Sequence, residues 1–149
     1  MDQMDYHEDE EQRISGERHA GIVFREGKIL LMHRIKKGFE YYVFPGGHRR
    51  DGDTGEDTVE REVYEETGIK VIIKGLAFTH EDTESGHRDF YYACEWLEGI
   101  TPELMGDEKI RNSRDNFFEP MWVEADKVDS INILPEYAKD WLRDYLGNR

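Results

Sequence analysis

The stretch Gly47–Ile69 reads GHRRDGDTGEDTVEREVYEETGI, and its reading decides how the rest of the chain is understood. Gly55 to Thr67 has the pattern of one helix. Thr54 is a natural N-cap, Asp57 three residues on completes a box-like reciprocal cap, and Gly68 supplies a left-handed stop. Val59 and Val63 form a stripe that can enter a core. At about 100° per residue, Glu62, Glu65 and Glu66 span an arc roughly 100° wide beside that stripe, so the carboxylates border the buried face. Two carboxylates about 5.5 Å apart repel by about 3 kcal/mol at an effective dielectric of 20, and by less than about 1 kcal/mol in bulk water. As a fully solvated face the cluster costs little. At the rim of a core it has to take up a proton, find a cation or pair with a base. Arg61 is the one base in residues 51–66 and cannot neutralise them all. Oxygen-only ligation with spare positions suits Mg2+ or Mn2+.

The charge of the whole chain sharpens this. Of a net −14, residues 1–17 carry −6 and residues 51–66 carry −7, which leaves −1 for everything else. The acidity sits in a tail and in the one helix. A duplex nucleic-acid surface needs a basic stripe, so no duplex partner is expected. The 149 residues, 37% hydrophobic and 12% aromatic, suit a single domain with its own core. The tail is expected to be a flexible extension over 1–17, followed by one folded domain over 18–149. No apolar run is long enough to cross a bilayer and the N-terminus lacks a signal-peptide layout, so no membrane partner is expected. Cys94 is the single cysteine, which suits a reducing cytoplasm, and its run FYYACEW marks it as a small buried hydrophobe.

Outward from the helix, HAGIVF and KILLMHR read as strands joined by a short glycine turn, and YYVF as a third ending at PGG. IKVIIKGLAFTHE and RDFYYACEW are strand-like, and FFEPMWVE is a last strand interrupted by proline. Leu97 to Asn116 reads as a long loop. After Pro135, the residues Ala138, Trp141, Leu142 and Tyr145 form a core-facing helical stripe. The order β-β-β-α-β-β-loop-β-α predicts an α/β protein, a mixed β-sheet packed between α-helices.

Between His33 and Arg50 the net charge is +4, from Arg34, Lys36, Lys37, Arg49 and Arg50 against Glu40. Gly46 and Gly47 lie between these bases and the acidic helix, where backbone can approach a ligand closely. A basic segment, a glycine turn and a carboxylate helix in that order suit a metal–polyphosphate ligand.

The segment resembles the Nudix box, G-x5-E-x7-R-E-U-x-E-E-x-G-U with U aliphatic. Gly47, Arg61, Glu62, Val63, Glu65, Glu66, Gly68 and Ile69 match, while Asp53 stands where the pattern has its first glutamate. The resemblance implies the Nudix fold and a hydrolase that splits a nucleoside diphosphate linked to another moiety, with Mg2+ or Mn2+ as cofactor. It implies Glu62 and Glu66 as principal metal ligands, with Glu65 and the Gly46 carbonyl as further ones, and Arg61 as the ion pair that orients a box glutamate. The general base is then either Glu65 or a loop carboxylate, for which Glu108 is the candidate. Arg34 either stabilises the developing phosphate charge or is a surface residue at a strand end. Phe39, Tyr41 and Tyr42 either pack in the core or stack on a base. Many relatives are dimers, so a homodimer is a further partner the resemblance implies. The alternative reading is a Nudix-fold nucleotide sensor without turnover, for which Asp53 is the argument.

Overall fold

The computed structural model describes residues 16–99 and 116–148. Strands β1 (Glu17–Arg25), β2 (Lys28–Lys36) and β3 (Phe39–Val43) form two successive hairpins. Their turns, Glu26–Gly27 and Lys37–Gly38, both take positive φ at each residue, the geometry that matches the twist of the flanking strands. The two-residue strand β4 (Gly46–Gly47) lies against β1 at His19 and Ala20. Helix α1 (Gly55–Thr67) follows, then β5 (Lys70–Glu81), β6 (Arg88–Glu98) and β7 (Asn116–Glu124). A short 3-10 turn, Ala125–Ser130, leads to α2 (Glu136–Gly147).

The sheet is mixed, because β1 runs parallel to β6 while the other pairs are antiparallel. One side of β2 carries β1 near its start and β3 near its end; β7 runs along the other. Among the described residues β7 pairs only with β2. It is therefore an edge strand, the place where a sheet tolerates Pro120.

Alternation along the strands divides the interior in two. Val23, Leu30, Val71 and Cys94 face α1, where they meet Val59, Val63 and Ile69. Ile22, Ile29, Leu31, Tyr91 and Val123 face α2, where they meet Ala138 and Leu142. The helices thus cover opposite faces, as the α/β reading expects. Cys94 is fully buried, and burial pushes its thiol up to about 12, as befits an inert packing residue. On α2, Ala138 and Leu142 are fully buried; Trp141 stacks between Phe78 and Tyr145 at 5.1 Å from each. Tyr145 lies at the margin of that face.

Several boundaries differ from the sequence reading: β3 begins at Phe39 and Asn116 already belongs to β7. The strand β6 runs through Glu98, so pairing with β5 extends into what reads as loop. Glu17, grouped with the acidic tail, is the first residue of β1 and is buried. Its pairing with Arg88 of β6 brings it into the sheet. No helix among the described residues is long and apolar enough to cross a membrane.

Candidate active site

Helix α1 begins and ends where its capping residues dictate. Asp57 N–H donates to the Thr54 hydroxyl at 3.0 Å, and Thr54 N–H donates back to the Asp57 carboxylate at 3.2 Å. Gly68 takes φ 75° and its N–H reaches the Tyr64 carbonyl at 2.8 Å. With both ends fixed and Val59 and Val63 seated on the sheet, the rotation of the helix is set. Glu62 is then buried, Glu66 half-buried and Glu65 exposed.

Glu62 and Glu66 face the glycine turn. A Cβ at Gly47 would stand 2.5 Å from the Glu62 carboxyl carbon and 2.7 Å from each of its oxygens, so only glycine lets the carboxylate occupy this position. Glu66 lies against Glu62 and the Gly46 backbone. Burial pushes the Glu66 carboxyl up to about 7; the charges of Arg18 and Arg34 and its polar contacts with Glu62 and the Gly46 backbone oppose that rise without cancelling it. The residue keeps some open surface, while protein surrounds most of its carboxyl group. Repulsion predicted from the helical spacing is therefore met here by a raised pKa, and on the other side by Arg61.

Arg61 is the hub of the loop before the helix. Its Nη1 donates to the Asp53 carboxylate at 2.7 Å, and its Nη2 lies 3.3 Å from both the His48 carbonyl and Glu62 Oε2. Asp53 thus reaches Arg61 despite a side chain one methylene shorter than glutamate. Arg34, on β2, lies 5.9 Å from the Tyr41 ring and 5.8 Å from the Phe118 ring. Its Nε and Nη2 are buried and have no hydrogen-bond partner among the described residues. Of the three aromatic residues before the turn, Tyr42 joins the core on the α2 side and stacks on His33, while Phe39 is exposed beside Tyr41.

The structure therefore brings Gly46, Arg61, Glu62 and Glu66 together, with Arg34 within electrostatic reach, and leaves Glu65 on the solvent side. Glu108 lies outside the described residues. No three His, Cys, Asp or Glu side chains among the described residues converge at metal-ligand spacing. What converges is a carboxylate pair with backbone against it. That pair nonetheless suits a divalent cation: its donors are all oxygen, it holds more negative charge than Arg61 neutralises, and Gly47 leaves the space beside it clear.

Sequence reasoning missed the cluster around Glu17. This carboxylate accepts from Arg49 Nε at 3.0 Å, His19 Nε2 at 3.0 Å and Arg88 Nη2 at 3.1 Å. With Nε2–H given to Glu17, His19 accepts at Nδ1 from the Tyr92 hydroxyl at 3.3 Å, and its ring stacks on Phe90 at 4.5 Å. The signal was available: residues two apart on a strand share a face, so Glu17 and His19 had to point the same way.

A family model described as NUDIX domain matches residues 17–145. A MutT-like protein of Streptomyces ambofaciens is 35% identical over 82 residues, which are 54% of this chain and 52% of that relative's length. An ADP-ribose pyrophosphatase of Methanocaldococcus jannaschii is 28% identical over 131 residues, 85% of this chain and 70% of that one. Among solved structures, a NUDIX hydrolase from Nitrosomonas europaea matches with a TM-score of 0.70 at 18% identity, covering 89% of this chain and 70% of that one.

Proposed function

The chain belongs to the Nudix hydrolase family, and on that premise we propose that it cleaves the diphosphate of a nucleoside diphosphate linked to another moiety, with Mg2+ or Mn2+ as cofactor. The observation that carries this reading is the under-neutralised pair Glu62–Glu66 set against Gly46 and Gly47. Glu62, Glu66 and the Gly46 backbone would hold the cation, with Glu65 as a further ligand. When bound, the cation supplies charge neutralisation of the diphosphate and activation of water.

The chain's own residues supply the rest. Arg61, with Nη2 3.3 Å from both Glu62 Oε2 and the His48 carbonyl, orients Glu62. Arg34, cationic and with donors unspent on protein, meets phosphate oxygens as charge builds on them. Glu65 on the open side of the pair, or Glu108 outside the described residues, accepts the proton of the attacking water. The 2.7 Å contact between Asp53 and Arg61 speaks against a sensor without turnover, because the departure from the box leaves its ion pair in place.

The reading includes a cytoplasmic protein with a small-molecule partner. Incubation with Mg2+ or Mn2+ and a panel of ADP-ribose, nucleotide sugars, dinucleoside polyphosphates and (d)NTPs, with products identified, tests it. Cleavage at the diphosphate of one class is expected. Tight binding of a nucleotide with no product from any of them would overturn the hydrolase in favour of the sensor.

A further inference from the structure

We propose that Glu17 is a positioning residue for the metal-binding carboxylates, acting through Arg49 and Asp53; the inference rests on the carboxylate–cation reading above. Glu17 is held by donors from three segments: His19 of its own strand, Arg88 of β6, and Arg49 of the loop before α1. Arg49 reaches the loop before α1 directly, while His19 borders the site as well, pairing with Gly47 and lying against Gly55 at the start of the helix. Arg49 uses Nε on Glu17, and its Nη1 donates to the Asp53 carbonyl at 3.1 Å. A guanidinium is planar and rigid, so fixing one N–H on a buried carboxylate fixes where the next N–H points.

Asp53 is therefore held at three points. Its N–H donates to the Arg50 carbonyl at 3.0 Å, Arg49 holds its own carbonyl, and Arg61 holds its carboxylate. Arg61 then divides its remaining reach between the His48 carbonyl and Glu62. Two guanidiniums thus brace residues 48–53, one anchored on the sheet through Glu17 and the other on α1. An aspartate has a short reach, and whether its carboxylate meets Arg61 depends on where the backbone lies. The strut from Glu17, together with the Asp53 N–H bond to the Arg50 carbonyl, sets that position. Without it, Asp53 withdraws and Arg61 turns more fully onto Glu62, where it competes with a cation for the same carboxylate.

This predicts a coupling that a merely structural Glu17 would not show. Lengthening the side chain by Asp53→Glu restores reach to Arg61 wherever the backbone settles, so the strut becomes dispensable. The test is Mn2+ affinity without substrate, measured by electron paramagnetic resonance of the free ion. The proteins are the parent, Glu17→Gln, Asp53→Glu, the double variant, Arg88→Gln and Glu66→Gln. Circular dichroism sets a temperature at which each is folded. Glu17→Gln is expected to weaken Mn2+ by about 10-fold, the scale of a lost supporting contact, and by under about 2-fold in the Asp53→Glu background. Arg88→Gln, which removes only the arm to β6, is expected to leave the affinity unchanged. Parent-like affinity in Glu17→Gln, an equal loss in both backgrounds, or an equal loss in Arg88→Gln overturns the inference. Glu66→Gln separates the two levels: parent-like Mn2+ affinity there overturns the cation reading itself. If Glu17→Gln fails to fold, Arg49→Lys takes its place. It keeps the charge beside Glu17 but cannot fork to Asp53, and the same coupling to Asp53→Glu is expected.

Discussion

Glu17 and Glu66 are both glutamates set into the protein surface near the loop between β4 and α1, and their environments move them in opposite directions. The Arg49 hydrogen bond, ahead of a smaller desolvation effect, holds the Glu17 carboxyl below its ordinary range. Burial drives Glu66 upward, and the charges of Arg18 and Arg34 with polar contacts to Glu62 and the Gly46 backbone fall short of compensating it. Glu17 is a carboxylate whose needs the fold meets. Glu66 is one whose needs the fold leaves to something else. The difference teaches where to look for chemistry: a buried charge that is fully paired holds structure together, and one left under-paired marks a place for a ligand.

Breaking the Glu66 side of this comparison has the largest expected effect. Glu66→Gln should lower turnover by at least about 100-fold, as loss of a ligand to the cation that would neutralise the diphosphate and activate water does. The same change should not lower stability in the presence of a chelator. A carboxyl with a raised folded pKa favours the folded state while protonated, so its contribution falls as pH rises from its ordinary value of 4.5 toward about 7. Glu66→Gln removes that fall. Thermal melts in EDTA at pH 5 and pH 8 should show the variant gaining on the parent at pH 8, by up to about 3 kcal/mol. Near-parent turnover would sink the assignment of Glu66 as a cation ligand.

Next in size is the identity of the proton acceptor. Glu65 is exposed on α1, near Glu62 and Glu66 but not turned inward with them. Removing the true base should cost about 100-fold in kcat and abolish the acid limb of the pH–rate profile. Glu65→Gln and Glu108→Gln, measured side by side, are expected to split, with one near that loss and the other within about 3-fold of the parent. Two small effects would exclude both residues as the base.

The half of the comparison built on one helix was legible in the sequence, and the half built from distant partners was not. Thr54, Asp57 and Gly68 announce the bounds of α1 because capping is local chemistry, and Val59 and Val63 announce its buried side by spacing alone. The match of Arg61 to a box glutamate followed from the motif, and the structure adds Asp53 and the His48 carbonyl to it. Glu17 was grouped with an acidic tail because composition averages over a window. Its partners Arg49 and Arg88 lie 32 and 71 residues away, a distance no local pattern spans. The solvent-side position of Glu65 was also hidden, since an arc of three glutamates does not say which the sheet will cover.

The smallest effects come from asking whether an ion pair's length or its burial gives it value. Arg49–Glu17 at 3.0 Å and Arg143–Asp129 at 2.8 Å differ little in distance. The Glu17 side chain is 11% exposed, however, and Asp129 is 68% exposed. Glu17→Gln leaves Arg49 and His19 facing a neutral amide in a partly dry site, so a loss of about 2 kcal/mol is expected at neutral pH. Because its folded pKa is lowered, that stability is present above the unfolded carboxyl's pKa and is lost as pH falls through the folded one. The parent and Glu17→Gln should therefore converge in urea melts as pH drops below about 4. Asp129→Asn breaks a shorter pair, yet water already solvates both partners and salt screens them, so no measurable shift of the urea midpoint is expected. Equal losses from the two variants would mean that contact distance, and not the water excluded around Glu17, decides what these pairs contribute.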